Sequence, residues 1–388
     1  MIYRIKGVVK EYEWGSKDFL PALFGYTENG KPQAEAWFGC HPAGESTLED
    51  GSKLSSLIKS SPKTMLGRAC ADKYGTLPLL LKILAINDPL SIQCHPDIPI
   101  AKRGYAEEAP LREKGTPLTE LNYKDDNQKA EVIYALTPIT AMCAFRPFIG
   151  LAANLKRVIP SSFGAFLKDK SNTKDIFETL YTLDKADLHK VITELLSNME
   201  KEPSSPEPEY LSEKDIVMKA YELYGDDPGL LCPYMLNIVH LKPGEALYLT
   251  PRTLHAYVKG NGVELMSLSD NVLRGGLTHK KVDVPELMKV MVVESRGDKS
   301  EKRKLEDGRV EIMTPTEEFT LCLLEEGEYN IEENAASLFL CLDGKTIIKA
   351  EGKEILLEKG DCVFVPFAVG PYSVKSFSLT IQALVPNN

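Results

Sequence analysis

No stretch of about 18 consecutive apolar residues occurs in the 388-residue chain, so no segment reads as a membrane-spanning helix. The N-terminal run MIYRIKGVVKEYEWG is charged and aromatic and lacks the apolar region of a secretory leader. Basic residues are in the minority: 46 Lys+Arg stand against 56 Asp+Glu, a formal net charge of -10, and no basic stripe relieves the imbalance. A polyanion would meet net repulsion, so nucleic acid is not an expected partner. A small anion is compatible with the same charge, because fields beyond roughly 8 Å are screened and a pocket can be locally positive. Paired cysteines are also missing. The eight cysteines (Cys40, Cys70, Cys94, Cys143, Cys232, Cys322, Cys341 and Cys362) are scattered without a CxxC spacing and read as reduced, mostly buried small hydrophobes. With 43% hydrophobic residues and a length suited to roughly two or three domains, the chain is expected to be a soluble cytoplasmic enzyme.

Residues 1–150 are punctuated by Gly and Pro and carry short β-rich runs, among them EAWFGCHP (35–42), PLLLKILAIN (78–87) and LSIQCHP (90–96). From about 151 to 226 apolar residues recur at three- and four-residue spacing. LAANLKRVI, AFLKDKSNTKDIFETLYTL, ADLHKVITELLSNM and EKDIVMKAYELYG predict four or so amphipathic helices, with a Pro/Ser/Glu loop at 201–213. β texture returns from 236, a charged stretch at 294–309 reads as a surface connection, and 310–385 is again short strands between turns.

An internal repeat sharpens the fold expectation. KPGEALYLTPRTLHAY (242–257) aligns with EKGDCVFVPFAVGPY (358–372): Gly244 with Gly360, Glu245 with Asp361, the strand 247–249 with 363–365, Pro251 with Pro366 after a one-residue offset, and Tyr257 with Tyr372. Turn glycine, acidic residue, alternating strand and proline turn form half of a cupin-type jelly-roll signature. His255 in the first copy is Gly370 in the second, so the first barrel is expected to be active and the second structural. The predicted fold is mainly β: two cupin-type jelly-roll barrels with an inserted α-helical domain.

Strand alternation puts Ser91, Gln93 and His95 on one face of LSIQCHPD and Ile92 and Cys94 on the other. Glu131 opens the run EVIYAL, and His255 and Tyr257 share a face of TLHAYVKG. Taken singly, each reads more naturally as a surface or satisfied core residue. Together, two imidazoles, a carboxylate and an amide on separate strands of one barrel suit a borderline divalent cation. Lys82, alone within PLLLKILAI, requires a partner or a role.

The ordered set YEWGS (12–16), AEAWFGCHP (34–42), LPLLLKILAINDPLSIQCHPD (77–97), NQKAEVIYALTP (127–138), PRTLHAYVKGNGVELM (251–266) and SLSDNVLRGGLTHKKVD (267–283) resembles type I mannose-6-phosphate isomerases along nearly the full chain. The resemblance implies one zinc ion per chain on Gln93, His95, Glu131 and His255. It implies a catalytic cupin over 1–150 and 236–293, a helical insertion over 151–235, and a C-terminal cupin without metal over 294–388. Arg274, Glu264, Lys129 and Asp270 become candidate catalytic residues. Ser91, Lys82, Lys280, Trp14, Tyr257, Glu35 and His41 become candidates for binding substrate and phosphate. The implied partner is a small sugar phosphate and the implied form a cytoplasmic monomer, in the carbohydrate metabolism that feeds GDP-mannose biosynthesis. Two positions depart from the family pattern: Gln128 stands where N-H-K-P-E has histidine, and His279 precedes Lys280 where L-T-P-K has proline. A mechanism using the former histidine for proton transfer cannot operate here.

The implied reaction interconverts mannose 6-phosphate and fructose 6-phosphate through a metal-stabilised ene-diolate. Glu264, raised by burial, is the first choice of base, with a lysine or metal-bound water as the alternative. Arg274 and Lys280 would anchor the phosphate. Two other readings stand beside it. An iron-dependent cupin oxygenase would use a two-histidine, one-carboxylate face without Gln93. A non-catalytic sugar-binding bicupin would carry a damaged ligand set in both copies.

Overall fold

The computed structural model describes residues 1–293 and 297–386, so positions 294–296 of the charged stretch lie outside the described residues. The helical periods become Phe148–Val158, Thr173–Thr182, Lys185–Asn198 and Glu213–Tyr224. The run 165–183 is not one helix. The Asn172 side chain accepts from the Asp175 N–H, and this cap starts a new helix at Thr173. Ser212 and Asp215 form a reciprocal capping box where the Pro/Ser/Glu loop ends. Residues 1–150 also carry short helices that their β texture does not announce, including Leu54–Ser60, Arg68–Tyr74 and Ile98–Glu107.

The strands form three antiparallel sheets of eight, ten and four strands, and their pairings close no barrel among the described residues. The two barrels expected from the repeat are therefore seen as facing sheets. Four apolar cores separate the layers. The helices pack Leu155, Phe177, Ile192 and Ile216 against Ile92, Cys94, Met142 and Leu273. Leu84, Ile133, Cys143, Val239 and Leu247 fill the space between the two halves of the ten-stranded sheet. That sheet presents Phe38, Leu81, Val132 and Leu265 to Phe319, Leu321, Leu338 and Phe364 of the eight-stranded sheet. Ile331, Phe339, Ile348 and Val374 form the last core, with the four-stranded sheet. The first strand of the chain, Tyr3–Lys6, pairs with Cys362–Val365 and with Thr47–Leu48, so it belongs to the C-terminal sheet although its sequence neighbours form the site. All eight cysteines are buried and unpaired. Burial pushes the Cys143 and Cys232 thiols up to about 12.

The repeat has a common geometry. Gly244 and Gly360 have φ of 90° and 91°, which favours glycine at both turns. The following acids cap those turns identically: Glu245 accepts the Lys242 N–H at 2.7 Å, and Asp361 accepts the Glu358 N–H at 3.0 Å.

One strand organises the site. His255–Ser267 pairs through its first part with Ile139–Phe145 and Gln93, and through its second with Leu79–Ile86 and Glu131–Ala135. The register slips by one residue between Tyr257 and Lys259, and the strand turns at Gly260. Gly260 has φ +118°, and a Cβ there would lie 2.3 Å from the Pro138 carbonyl oxygen and 2.8 Å from Ile139. Gly260→Ala is expected to destabilise the protein by about 2–4 kcal/mol, since both backbone strain and a backbone clash oppose it. Gly150→Ala, where nothing lies within 4 Å, is the control that thermal unfolding should find near-neutral.

Candidate active site

At the floor of the ten-stranded sheet, His95, Glu131 and His255 bring three ligand atoms within 4.8 Å of one another, and all three residues are buried. The His95 Nδ1 lies 2.7 Å from the Asn271 carbonyl oxygen, and the His255 Nδ1 lies 2.9 Å from that of Thr253. A carbonyl only accepts, so the hydrogen-bond network assigns each ring its proton on Nδ1 and turns the Nε2 lone pair inward. Each Nε2 stands 3.4 Å from a different oxygen of Glu131. Burial, with the neighbouring Lys129 charge, brings His95 down to about 4, so it is neutral at pH 7. Its Nε2 is buried without a hydrogen-bond partner. Two inward-turned imidazole nitrogens and a carboxylate thus converge on one point, with the Lys129 ammonium 3.0 Å from the carboxylate, and this ligand set fits a divalent cation. Gln93 sits directly opposite His255 in the antiparallel pair and opposite Arg274 on its other side. Its side chain lines the same cavity, while Ile92 and Cys94 point into the helical core. Among the described residues no second group of this kind occurs.

Above this floor opens a cavity of about 580 Å³. It is lined by Ser91, Lys129, Glu131, Arg274, Glu264, Asp270, Lys82, Lys280, Trp14, Tyr257, Glu35 and His41, together with Gln93. The structure therefore gathers every candidate site residue into one region, with His95 and His255 beneath the rest.

Buried charges in the wall are paired. Lys82 stands opposite Glu264 in the strand pair, and its Nζ lies 2.9 Å from Glu264 and 3.8 Å from Glu35. Trp37 donates its indole N–H to Glu35, and Lys82 sits 5.1 Å over the Trp37 ring. Burial opposes the Lys82 charge, but Glu264 and Glu35 outweigh it and hold the ammonium protonated. Glu264 is raised as well: burial raises it, and although Lys82 opposes, the Glu131 and Glu35 charges add to the rise. Lys129 lies 3.0 Å from Glu131. Burial pulls Glu131 upward, yet Lys129 and the two imidazoles hold it well below the usual carboxylate range. The buried Tyr257 hydroxyl lies beside Glu264 without reaching hydrogen-bond geometry, and burial together with that charge pushes it far up.

At the rim His41 accepts the Ala43 N–H on Nδ1, which places its proton on Nε2, 3.2 Å from Asp270. Burial raises Asp270, but the His41 hydrogen bond and charge prevail and bring it to about 2. The opposite character appears around Arg274. Neither Arg274 nor Lys280 has a side-chain hydrogen bond or ion pair among the described residues. Burial lowers both, and Arg274 also repels Lys280. Lys124 lies close by: burial lowers it and the Asp270 charge opposes, while Arg274, Lys129 and Lys280 push it further down, and its Nζ donates to the Asp270 carbonyl at 3.0 Å. Arg274 and Lys280, without side-chain counter-ions among the described residues, give this end of the cavity a positive character.

Residues 2–148 match the family described as phosphomannose isomerase type I, catalytic domain, and residues 311–384 match mannose-6-phosphate isomerase, cupin domain. Mannose-6-phosphate isomerase of Escherichia coli is 32% identical over 95% of each chain. The human enzyme is 30% identical over 94% of this chain and 93% of its own. The chain belongs to the type I mannose-6-phosphate isomerase family. It is accordingly an isomerase. Among solved structures, a variant of phosphomannose isomerase from Salmonella typhimurium superposes with a TM-score of 0.91 at 30% identity, covering 100% of both chains. A mannose 6-phosphate isomerase bound with zinc and yttrium reaches 0.90 at the same identity and coverage.

Within this isomerase scaffold, several contributors escape sequence reading. Lys124, beside Asp125 and Asp126, reads locally as one charge of a solvated run. Only the fold sets it near Arg274. Asn271 is fully buried, and its amide donates to Asp125 and Asn127 while its carbonyl oxygen orients His95. Its signal was a lone amide between charged and apolar residues, which has no distinctive period. His279 is exposed at the mouth, its ring 5.5 Å from Tyr224. Gln128 donates its amide to Glu318 at 2.9 Å. No helix among the described residues is long and apolar enough to cross a membrane.

Proposed function

We propose that this chain interconverts D-mannose 6-phosphate and D-fructose 6-phosphate, using one zinc ion held by Gln93, His95, Glu131 and His255. The observation that carries the reading is the orphaned, inward-turned Nε2 of His95 in a floor that shares its ladder with an anion-binding end. Arg274, Gln93 and His255 are lateral neighbours across adjacent strands. In the ladder Arg274 is one inter-strand spacing, about 5 Å, from Gln93 and two from His255, so an anion held at Arg274 lies beside the metal ligands.

Arg274, Lys280, Lys124 and Ser91 would bind the phosphate and so orient the first two carbons toward the floor. Glu264 would remove the proton from the second carbon of the aldose and return one to the first. A hydroxyl proton passes between the two oxygens, so the aldehyde becomes an alcohol and the alcohol a ketone. The bound ion would supply positive charge against the negative charge developing on those oxygens in an ene-diolate. Lys82 holds Glu264 in place, and the carboxylates Glu35 and Glu131 keep its proton affinity raised, which suits a base working near neutral pH. Trp14, Tyr257 and His41 close the wall and exclude water.

The same reading treats the facing sheets as two cupin jelly rolls with an inserted helical unit, a catalytic unit over 1–150 and 236–293, the insertion over 151–235, and a metal-free cupin over 294–388. The matched turns at Gly244 and Gly360 support it. The same reading takes the protein as a cytoplasmic monomer acting on a small sugar phosphate upstream of GDP-mannose.

A coupled assay with mannose 6-phosphate is expected to show turnover that a chelator abolishes and zinc restores. Turnover that persists after the metal has been removed would overturn the metal assignment. Two histidines and one carboxylate also suit iron oxygenases. Stoichiometric iron with oxygen consumption would favour that reading instead.

A further inference from the structure

We propose that Glu318, which belongs to the C-terminal region, is a positioning residue for the active site of the catalytic sheet. Its side chain is buried, with 3% exposure. One oxygen, Oε2, accepts three hydrogen bonds: from Gln128 Nε2 at 2.9 Å, Ser267 Oγ at 2.6 Å and Thr316 Oγ1 at 3.0 Å. No cation lies within ion-pair distance of it among the described residues, so these neutral donors carry the stabilisation of a buried charge.

The positions of those donors give the clamp its consequence. Gln128 immediately precedes Lys129 and stands three residues before Glu131. Ser267 ends the strand that carries His255 and Glu264, and its backbone N–H donates to the Ala130 carbonyl at 2.9 Å. Met266 faces Glu131 in the ladder. Glu318 therefore ties together the two strand ends between which Glu131 and Lys129 are held. Its own backbone is fixed by the neighbouring Phe319, fully buried in the core shared by the eight- and ten-stranded sheets. The region that contains no metal group of its own thus steadies the carboxylate and ammonium of the region that does. Gln128 is a tether in this chain, where its amide has no proton to give in catalysis.

The test uses the full chain loaded with zinc. Glu318→Leu keeps a similar volume but removes the acceptor, and Gln128→Ala cuts the tether at a partly exposed position. Each is expected to lower kcat about tenfold with KM changed less than about twofold, and to weaken zinc retention against a competing chelator about tenfold. The double variant is expected to be no worse than the more damaging single one, because both remove the same link. Zinc retention and kcat within about twofold of the parent in both singles, even with a lowered Tm, would make the clamp merely structural and overturn the proposal. Losses that multiply in the double variant would overturn it as well. If Glu318→Leu does not fold, Gln128→Ala alone decides. Zinc retention is read without substrate, so failure of the clamp and failure of the isomerase assignment remain distinguishable.

Discussion

His255→Ala is expected to yield a folded protein that binds no metal at stoichiometric level and turns over no substrate. The strand pairing of residue 255 with Gln93 and Cys143 runs through the backbone, so truncating the ring leaves the ladder in place. What disappears is one of two inward-turned Nε2 atoms and the companion of Glu131 at 3.4 Å. Zinc affinity should fall by more than about 100-fold, beyond what loss of an outer partner costs. The rate should fall by roughly 10³-fold or more, because charge stabilisation worth several kcal/mol is removed with the ion. Metal analysis after gel filtration, circular dichroism and the coupled assay together check this. Retained activity in a folded variant would show the ligand set to be wrong.

Glu264→Gln separates the base from the metal. The amide has the same shape, its oxygen can still accept from Lys82, and the ligand residues are untouched. Zinc content and KM should stay near the parent values, while kcat falls by about 10²–10⁴-fold, the range ascribed to a positioned proton-transfer group. The sign of the pH dependence follows from the raised proton affinity of Glu264. A base must be unprotonated, so kcat in the parent should decline as pH drops through that raised value. In the variant this acid limb should vanish. A loss below tenfold would move the base role to another group, with Lys82, 2.9 Å from Glu264, the nearest cation of the wall.

The local parts of this site were legible because they depend on neighbours in the chain. Alternation in LSIQCHPD separates Gln93 and His95 from Ile92 and Cys94, and the latter pair is found in the helical core. The turn glycines Gly244 and Gly360 share their conformation because each precedes the same acid-capped strand. Alternation fails for Glu264. Counting by twos from His255 reaches 263 and 265, which puts Glu264 on the opposite face. The one-residue slip after Tyr257 and the corner at Gly260 reverse the parity and bring Glu264 beside Tyr257 and Lys82. No residue preference announces that slip, because it is set by which partner strand each half meets. The family resemblance supplied Glu264 where spacing could not.

Composition also misjudged no charge locally, yet could not place one. The chain is acidic overall, but Arg274 and Lys280 meet at one end of the cavity without side-chain ion pairs among the described residues. The first strand, Tyr3–Lys6, likewise left its neighbours to join the C-terminal sheet, since its edge finds hydrogen-bond partners in Cys362–Val365.

By itself the sequence determined the main amphipathic helices of residues 151–226, the duplicated turn, the buried thiols, and which residue types were available for a metal and an anion. Those follow from period, capping and hydrophobicity, forces that act over a few residues. Only the tertiary structure decided that His95, Glu131 and His255 share one point, that Glu264 faces it, and that Glu318 holds it from another sheet. Such convergences depend on strand register and through-space charge between segments far apart in the chain, for which chain order carries no local signal.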